Sequence, residues 1–330
     1  MDAPAVIYAL RWLIHDTFRQ TLTSWVFWIL LGASAMCIVF CLGISVEGGA
    51  VREGHELFHP KTNELIGQGR EPAGRVSLLF GVFNYTFSRT ADEQVHFLFG
   101  VLTSWVAGVI GMLMLLIFTA GFLPESLQPS AAAVLLAKPT PRWLFLLGKY
   151  LGVVCFVALQ ITIFFVGTLV ALGLRTGVWQ LEYLLGIPLM VFHFAIVFSF
   201  SVLLAVLFRS TMGCVVGCVL FWIACFAINY GRHFVVVYAD LSPNGPVLPS
   251  FTVFLSEAGY WIFPKPEDLL ILMEKSLNIS QFKGTWESEL HFVTVERKDL
   301  FHPIAAILSS CLFPIFALWG ASAQLSKTDY

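Results

Sequence analysis

The chain has 330 residues and a net charge of −2; 58% of its residues are hydrophobic and only 12% are charged. This composition excludes an ordinary soluble protein, because soluble domains carry about 25% charged residues. Most of the surface must face lipid, so the sequence predicts an integral membrane protein. No basic run is present that would suit a nucleic acid.

The segment before Trp25 predicts an amphipathic helix that lies in the membrane interface. Its basic residues Arg11, His15 and Arg19 recur every four residues, and apolar residues fill the opposite side. The segment lacks the small-residue cleavage site of a signal peptide, so the first span is expected to be retained. The simplest role of this leader helix is to anchor that span.

Six runs are long and apolar enough to cross a bilayer, which takes a helix of about 20 residues. They cover residues 25–46, 97–123, 143–172, 183–208, 212–230 and 303–323. The predicted fold class is therefore all-α integral membrane, with the whole chain forming one transmembrane domain. Six helices place both termini on one side. Lys and Arg outnumber Asp and Glu in the segments on that side, which predicts that both termini are cytoplasmic.

Two long outer segments, residues 47–96 and 231–302, hold most of the remaining polar residues and are too long to be simple connections. In the first, Phe83, Tyr85 and Phe87 alternate with polar residues, which predicts a strand. The second contains a weaker alternation shortly before the last span. The two segments could meet in a small mixed extracytoplasmic cap.

Two further elements are predicted inside the second outer segment. Pro266 and the two acidic residues after it favour the start of a helix that continues to about Leu277. Before this helix, residues 247–263 are apolar but are interrupted by Pro249 and Gly259, and the run is too short for a seventh span. These residues predict either a re-entrant hairpin or a buried loop.

The inner segment between the second and third runs, residues 124–142, is the most informative part of the chain. An acidic residue is followed by a short predicted helix, a Leu-Leu-x-x-Pro-x-x-Arg element and a Gly-Lys pair that opens the third run. These positions are occupied by Glu125, Leu135, Leu136, Pro139, Arg142, Gly148 and Lys149.

This arrangement resembles the segment after the second span in the permease subunits of ABC-type exporters of the six-helix class, and the NosY-like group in particular. The Gly-Thr pair that often follows the acidic residue in that class is absent. The resemblance implies that residues 124–142 form a cytoplasmic coupling loop that receives an ABC ATPase subunit. It gives the leader a second reading, as an elbow helix that lies against the ATPase.

The same resemblance implies a bacterial-type plasma membrane, transport by alternating access, and a dimer with a second permease copy or a paralogue. The chain has no G-x-x-x-x-G-K-[ST] loop, because Tyr150 follows Gly148-Lys149. ATP and Mg²⁺ are therefore expected on the partner, and no cofactor or metal is expected on this chain.

Two small-residue motifs predict close helix packing, Gly148-x-x-x-Gly152 and Gly213-x-x-x-Gly217. They suit either packing within the chain or a dimer seam. Lys149 lies seven residues after Arg142 and so on the same helix face, from which its long side chain can reach the cytoplasmic interface. Simple positive-inside anchoring explains this lysine equally well.

A zinc metalloprotease is the sharpest alternative, since His55-Glu56-Leu57-Phe58-His59 matches H-E-x-x-H. On a helix, the two histidines would bind zinc and Glu56 would act as the base. Pro60 and the preceding glycines disfavour that helix, so a polar loop is the simpler reading. The seven cysteines all fall in apolar runs and are expected to be core residues.

An ion-driven carrier is disfavoured, because such carriers place ionisable residues near the membrane midplane and no Asp or Glu occurs in the six runs. His193 is the one notable ionisable group in mid-span, and it is expected to hydrogen-bond to a neighbouring helix. The sequence identifies no substrate. A non-transporting scaffold or force-transmitting subunit therefore stays a further alternative.

Overall fold

A computed structural model describes residues 3–53, 56–59, 63, 65, 73–127, 141–241, 249–276 and 303–327. Six of its helices are long and apolar enough to cross a membrane, which confirms the prediction of a helical multi-pass protein. These candidate spans are Trp25–Leu42, Ala91–Ser126, Arg142–Thr176, Leu181–Phe208, Thr211–Val235 and Ile304–Ser326.

The chain begins with two helices, α1 (Ala3–Thr23) and α2 (Trp25–Leu42). Ser24 separates them because its backbone is extended, and its Oγ accepts a hydrogen bond from the Val26 amide at 3.2 Å. This hydrogen bond satisfies one of the amides that the start of α2 leaves free. Ser24 thus ends one helix and caps the next.

Helix α1 has the two faces that its sequence predicts. Arg11, His15 and Arg19 are exposed, whereas Leu13 and Thr17 are buried. The buried face packs along the start of the third span.

In the part of the chain that the structure describes, five short strands follow α2. They are β1 (Ser45–Gly48), β2 (Val51–Glu53), β3 (Glu56–Phe58), β4 (Gly74–Leu78) and β5 (Phe83–Phe87). Strands β1, β4 and β5 form an antiparallel sheet in that order, and β2 pairs with β3.

Strand β5 confirms the strand predicted from the alternation of aromatic and polar residues. Of its three aromatic residues, Phe87 is buried, whereas Phe83 and Tyr85 are exposed. The weaker strand signal at residues 290–295 lies outside the described residues.

The second span is helical from Ala91 to Ser126 but is not uniformly α-helical. It consists of α3 (Ala91–Val101), a π-helical segment (Leu102–Gly111), α4 (Met112–Thr119) and α5 (Phe122–Ser126). Thr90 and Glu93 form a reciprocal capping box that fixes its first residue. The span therefore begins several residues before the apolar run that starts at Phe97.

Three long helices follow, α6 (Arg142–Thr176), α7 (Gly186–Phe208) and α8 (Thr211–Leu241). The span Leu181–Phe208, which contains α7, is the most buried of the candidate spans, whereas few residues of Trp25–Leu42 and Thr211–Val235 are buried. Aromatic rings fill the contact between α6 and α7: Phe198 stacks on Tyr150 and on Phe194, with centroids 6.0 and 5.2 Å apart.

The last helices are α9 (Ser250–Ile262), α10 (Pro266–Ser276) and α11 (Pro303–Ser326). Helix α10 confirms the helix predicted from Pro266. Residues 247–263 contain a helix of 13 residues instead of a plain loop.

Helix α8 corrects the predicted end of the fifth span, because it continues past residue 230 to Leu241. The supposed outer loop that begins at residue 231 is therefore helical at its start.

Candidate functional site

Helix α1 lies unusually close to α6, because α6 presents glycine where the two helices meet. A Cβ atom added at Gly148 would lie 2.6 Å from the Leu13 Cβ, and one at Gly152 would lie 2.5 Å from the Thr17 Cβ. Real side chains do not approach this closely, so only glycine fits at these positions. The motif in the third span thus serves packing within the chain.

The motif in the fifth span has a weaker version of the same role. A Cβ added at Gly217 would lie 2.6 Å from the Leu204 Cδ1 of α7, whereas at Gly213 the nearest atom would be 3.6 Å away. Gly217 therefore faces α7 closely, and Gly213 has room for a methyl group.

A cavity of about 340 Å³ opens between α1, α5, α6 and α7. Its lining combines polar residues from α1 and α5 with an apolar floor from α6 and α7. The lining residues are Thr17, Gln20, Thr21, Ser24, Phe122, Leu123, Glu125, Ser126, Lys149, Tyr150, Val153, Phe198 and Val202.

Lys149 is the most unusual residue of this cavity, since only 5% of its surface is exposed. Its Nζ donates a hydrogen bond to the Gln20 Oε1 at 3.0 Å, and the Gln20 Nε2 donates to the Asp16 Oδ2 at 2.9 Å. Helix α1 covers Lys149, so its side chain does not extend freely into water. The close approach at Gly148 and Gly152 is what brings this cover into place.

Glu125 lies at the rim of the same cavity, at the end of α5, and is exposed. The structure thus brings together two of the residues that the sequence singled out, Glu125 and Lys149. No ion pair joins them in the part of the chain that the structure describes.

Arg142 has a different position from Glu125 and Lys149. Its guanidinium donates hydrogen bonds to the carbonyls of Leu325 at 2.8 Å and Ser326 at 3.3 Å. It therefore ties the first turn of α6 to the last turn of α11. Leu135, Leu136 and Pro139 lie outside the described residues.

A second group of polar residues, which sequence reasoning missed, lies in the C-terminal half of α8 and on the helices that pack against it. Asp268 accepts a hydrogen bond from the Tyr260 hydroxyl at 2.6 Å, and its other oxygen lies 2.7 Å from the His233 Nε2. Arg232 forms an ion pair with Glu257 at 3.0 Å. These contacts join α8 to α9 and α10.

Lys265 completes this group, which is called the outer network because its members lie in the predicted second outer segment, residues 231–302. Lys265 is almost fully buried. Its Nζ donates to the Ser309 Oγ at 2.7 Å and lies 4.6 Å from the centre of the Tyr260 ring. Burial lowers the pKa of Lys265 to about 8, and the nearby carboxylate of Asp268 only partly offsets this effect.

Spacing in the sequence carried a signal for this network. Arg232 and His233 follow Asn229 at helical spacing, and Tyr260 and Asp268 follow Glu257 and Lys265, respectively, by three residues. The predicted fifth span ends at residue 230, before Arg232, so the sequence prediction does not include this network.

His193 forms the hydrogen bond to a neighbouring helix that the sequence favoured. It is buried in α7, and its Nε2 accepts from the Trp222 Nε1 of α8 at 3.2 Å.

The zinc motif does not have helical geometry at its centre. Glu56–Phe58 is strand β3, paired with β2, and His55 lies outside the described residues. In an extended strand, residues four apart are not on adjacent turns, as zinc binding by this motif requires. Among the residues that the structure describes, no group of three His, Cys, Asp or Glu side chains could hold a metal ion.

Comparison with known proteins gives no family: no protein-family model matches the chain, and no curated protein is significantly similar to it. The fold alone defines a helical multi-pass membrane protein with six candidate spans.

Proposed function

We propose that this protein is the permease subunit of an ATP-driven ABC-type exporter, similar to the NosY-like group. One observation carries the proposal. Glu125 lies at the start of the segment expected to receive the ATPase and Lys149 lies shortly after its end, and both line a single cavity at the junction of α1, α5 and α6.

In this proposal both termini are cytoplasmic, in a bacterial-type plasma membrane, and α1 lies in the cytoplasmic interface. The end of the bundle that holds the cavity is then the cytoplasmic end. Strands β1 to β5, with α9 and α10, belong to an extracytoplasmic cap. A second copy or a paralogue completes the transporter, and ATP with Mg²⁺ binds to the separate ATPase.

The contacts around the segment suggest how force would pass into the spans. Residues 124–142 connect α5 to α6, and α6 is joined to α1 by the glycine contacts and to α11 by Arg142. A push from the ATPase on this segment would therefore move α1, α6 and α11 together. Rigid helices that move as a unit are what alternating access requires.

The test is co-purification of the ATPase with the tagged protein from its native membrane. Leu135→Asp, in the proposed docking surface, should reduce ATPase recovery about tenfold or more, because a charge would enter an apolar contact. Arg142→Glu is a less clean change, since Arg142 also holds the end of α11. The matched control is Leu207→Asp, which changes an exposed leucine in the last turn of α7.

The proposal fails if no P-loop ATPase co-purifies with the unmodified protein. Recovery of an ATPase that is equal for Leu135→Asp and the unmodified chain would show that residues 124–142 are only a connector. Expression and membrane insertion of each variant are measured in parallel, so that lost docking is distinguished from lost folding.

A further inference from the structure

From the cavity beneath α1, we infer a binding site for the phosphate group of an anionic phospholipid, with Lys149 as the cation that holds it. The site does not depend on the transport proposal, since it rests on the cavity alone.

The first argument is the charge of the site. Only 5% of the surface of Lys149 is exposed, and its described hydrogen-bond acceptor is the neutral Gln20 side chain. An ammonium has three N–H donors, so two are available to a ligand or to water. Burial of a cation without a directly paired anion is costly, and a phosphate oxygen would offset that cost.

The second argument is the division of the lining. Tyr150, Val153, Phe198 and Val202 form a continuous apolar floor from α6 and α7. The Tyr150 hydroxyl is already used, because it donates to the Ala195 carbonyl at 2.9 Å. This floor offers an acyl chain or glycerol backbone a surface that free phosphate would not use. A volume of about 340 Å³ accommodates a headgroup with the first part of a chain.

The third argument is the level of the cavity in the membrane. Ser24 lines it, and the next residue, Trp25, is 83% exposed on the outside of the bundle. Trp143, at the start of α6, is also exposed. Exposed tryptophans at the ends of spans mark the headgroup region. The cavity therefore opens at the depth where phospholipid phosphates lie.

Glu125 and Lys149 have opposite effects on which lipid is preferred. A zwitterionic lipid such as phosphatidylethanolamine could place its ammonium near this carboxylate, whereas an anionic headgroup would be repelled by it. Glu125 is exposed and so is screened by water, while Lys149 is buried and is not. The lysine therefore dominates, and the site favours an anionic lipid.

The experiment measures lipid binding to the delipidated full-length protein in detergent by native mass spectrometry, with phosphatidylglycerol, phosphatidylethanolamine and phosphatidylcholine as probes. Phosphatidylglycerol should bind most tightly. Lys149→Met should weaken it about tenfold or more, and Lys149→Arg should restore most of the loss. Lys327→Met is the matched control, since it removes an exposed lysine beyond the end of α11. It should leave binding unchanged.

Two further variants separate charge from shape. Glu125→Gln should strengthen phosphatidylglycerol binding, because it removes a repulsive charge at the rim. Val202→Phe should weaken binding of every phospholipid by filling the apolar floor, with Lys149 intact. Melting temperatures of all variants are measured without lipid, and only variants that stay folded are compared.

Equal loss of binding in Lys149→Met and Lys327→Met would overturn the inference, since it would indicate general surface attraction. Weaker binding in Glu125→Gln with a preference for phosphatidylethanolamine would also overturn it. If millimolar inorganic phosphate completely displaced phosphatidylglycerol, the cavity would be assigned to free phosphate instead of a lipid.

Discussion

The contact between α1 and α6 makes a sharp prediction about Gly152. In Gly152→Ala, the new Cβ would lie 2.5 Å from the Thr17 Cβ, whereas ordinary contacts begin at 3.4 Å. Neither atom can move by side-chain rotation, because each Cβ is fixed to its backbone. To widen this 2.5 Å contact to an ordinary distance, the two helices must separate by about 1 Å at Gly152.

The expected cost follows from two opposing effects. Overpacking of a close contact typically costs about 1–3 kcal/mol. Alanine is a better helix former than glycine by about 0.8–1.0 kcal/mol, which offsets part of that cost. A net destabilisation of up to about 2 kcal/mol is therefore expected. Separation of the helices would also lengthen the 3.0 Å hydrogen bond from Lys149 to Gln20.

Gly213→Ala is the matched control for this prediction. It is the same substitution in another candidate span, but its nearest neighbouring atom would be 3.6 Å away. The assay is the thermal unfolding of each purified variant in the same detergent. Gly152→Ala should unfold several degrees below the unmodified protein, and Gly213→Ala at the same temperature or above it. Equal shifts in the two variants would refute the reasoning from helix contact.

Three further predictions address topology, zinc and the outer network. Reporters fused after Tyr330 should behave as cytoplasmic and one inserted near Lys283 as external; an external signal at Tyr330 would contradict the six-span orientation. The purified protein should contain no stoichiometric zinc by elemental analysis, and Glu56→Gln should leave its function unchanged, because the centre of the zinc motif is a strand. For Lys265, the folded-state pKa of about 8 lies below the unfolded value of 10.5, so the folded state loses this proton first. Lys265 should therefore add to the thermal stability as pH rises from about 8 towards 10.5, and Lys265→Met should abolish that gain. The same pH dependence of stability in Lys265→Met and in the unmodified protein would contradict the burial of this charge.

The helices could be predicted from sequence because lipid imposes a simple rule. A run such as residues 143–172 must be helical, since the bilayer core offers no other partner for its backbone. The ends were harder to predict, because they lie where water and protein compete. Thr90 caps its helix seven residues before the apolar run of the second span, and α8 continues beyond the apolar run of the fifth.

The candidate site could be predicted only in part. The resemblance to exporter permeases singled out Glu125 and Lys149, but it did not predict that α1 would cover the lysine. That cover depends on Leu13 and Thr17 meeting two glycines more than a hundred residues away in the chain. Periodicity gives the face of a helix that is buried; it does not give the partner against which that face packs.

The outer network shows a different limit. The apolar run of the fifth span ends at residue 230, so Arg232 falls in the second outer segment of the sequence prediction, and a charged residue is costly in lipid. The cost is offset here, since Glu257 pairs with its guanidinium and the Tyr260 ring lies 4.5 Å beneath it. Both partners come from α9, which is distant in sequence. Hydropathy treats each residue alone, so it cannot recognise a charge that another element compensates.

The cavity also bears on how a ligand and an ATPase would influence each other. Glu125 stands at the end of α5, where the proposed docking segment begins, and the cavity separates it from Lys149. Movement of α5 towards α6 would bring the two charges together and reduce the space for a lipid phosphate. A lipid bound to Lys149 would therefore oppose that movement, and a partner that drives the movement would weaken lipid binding by the same factor. Such reciprocity requires the two proposed ligands to act on one element, and α5 is the element that both would contact.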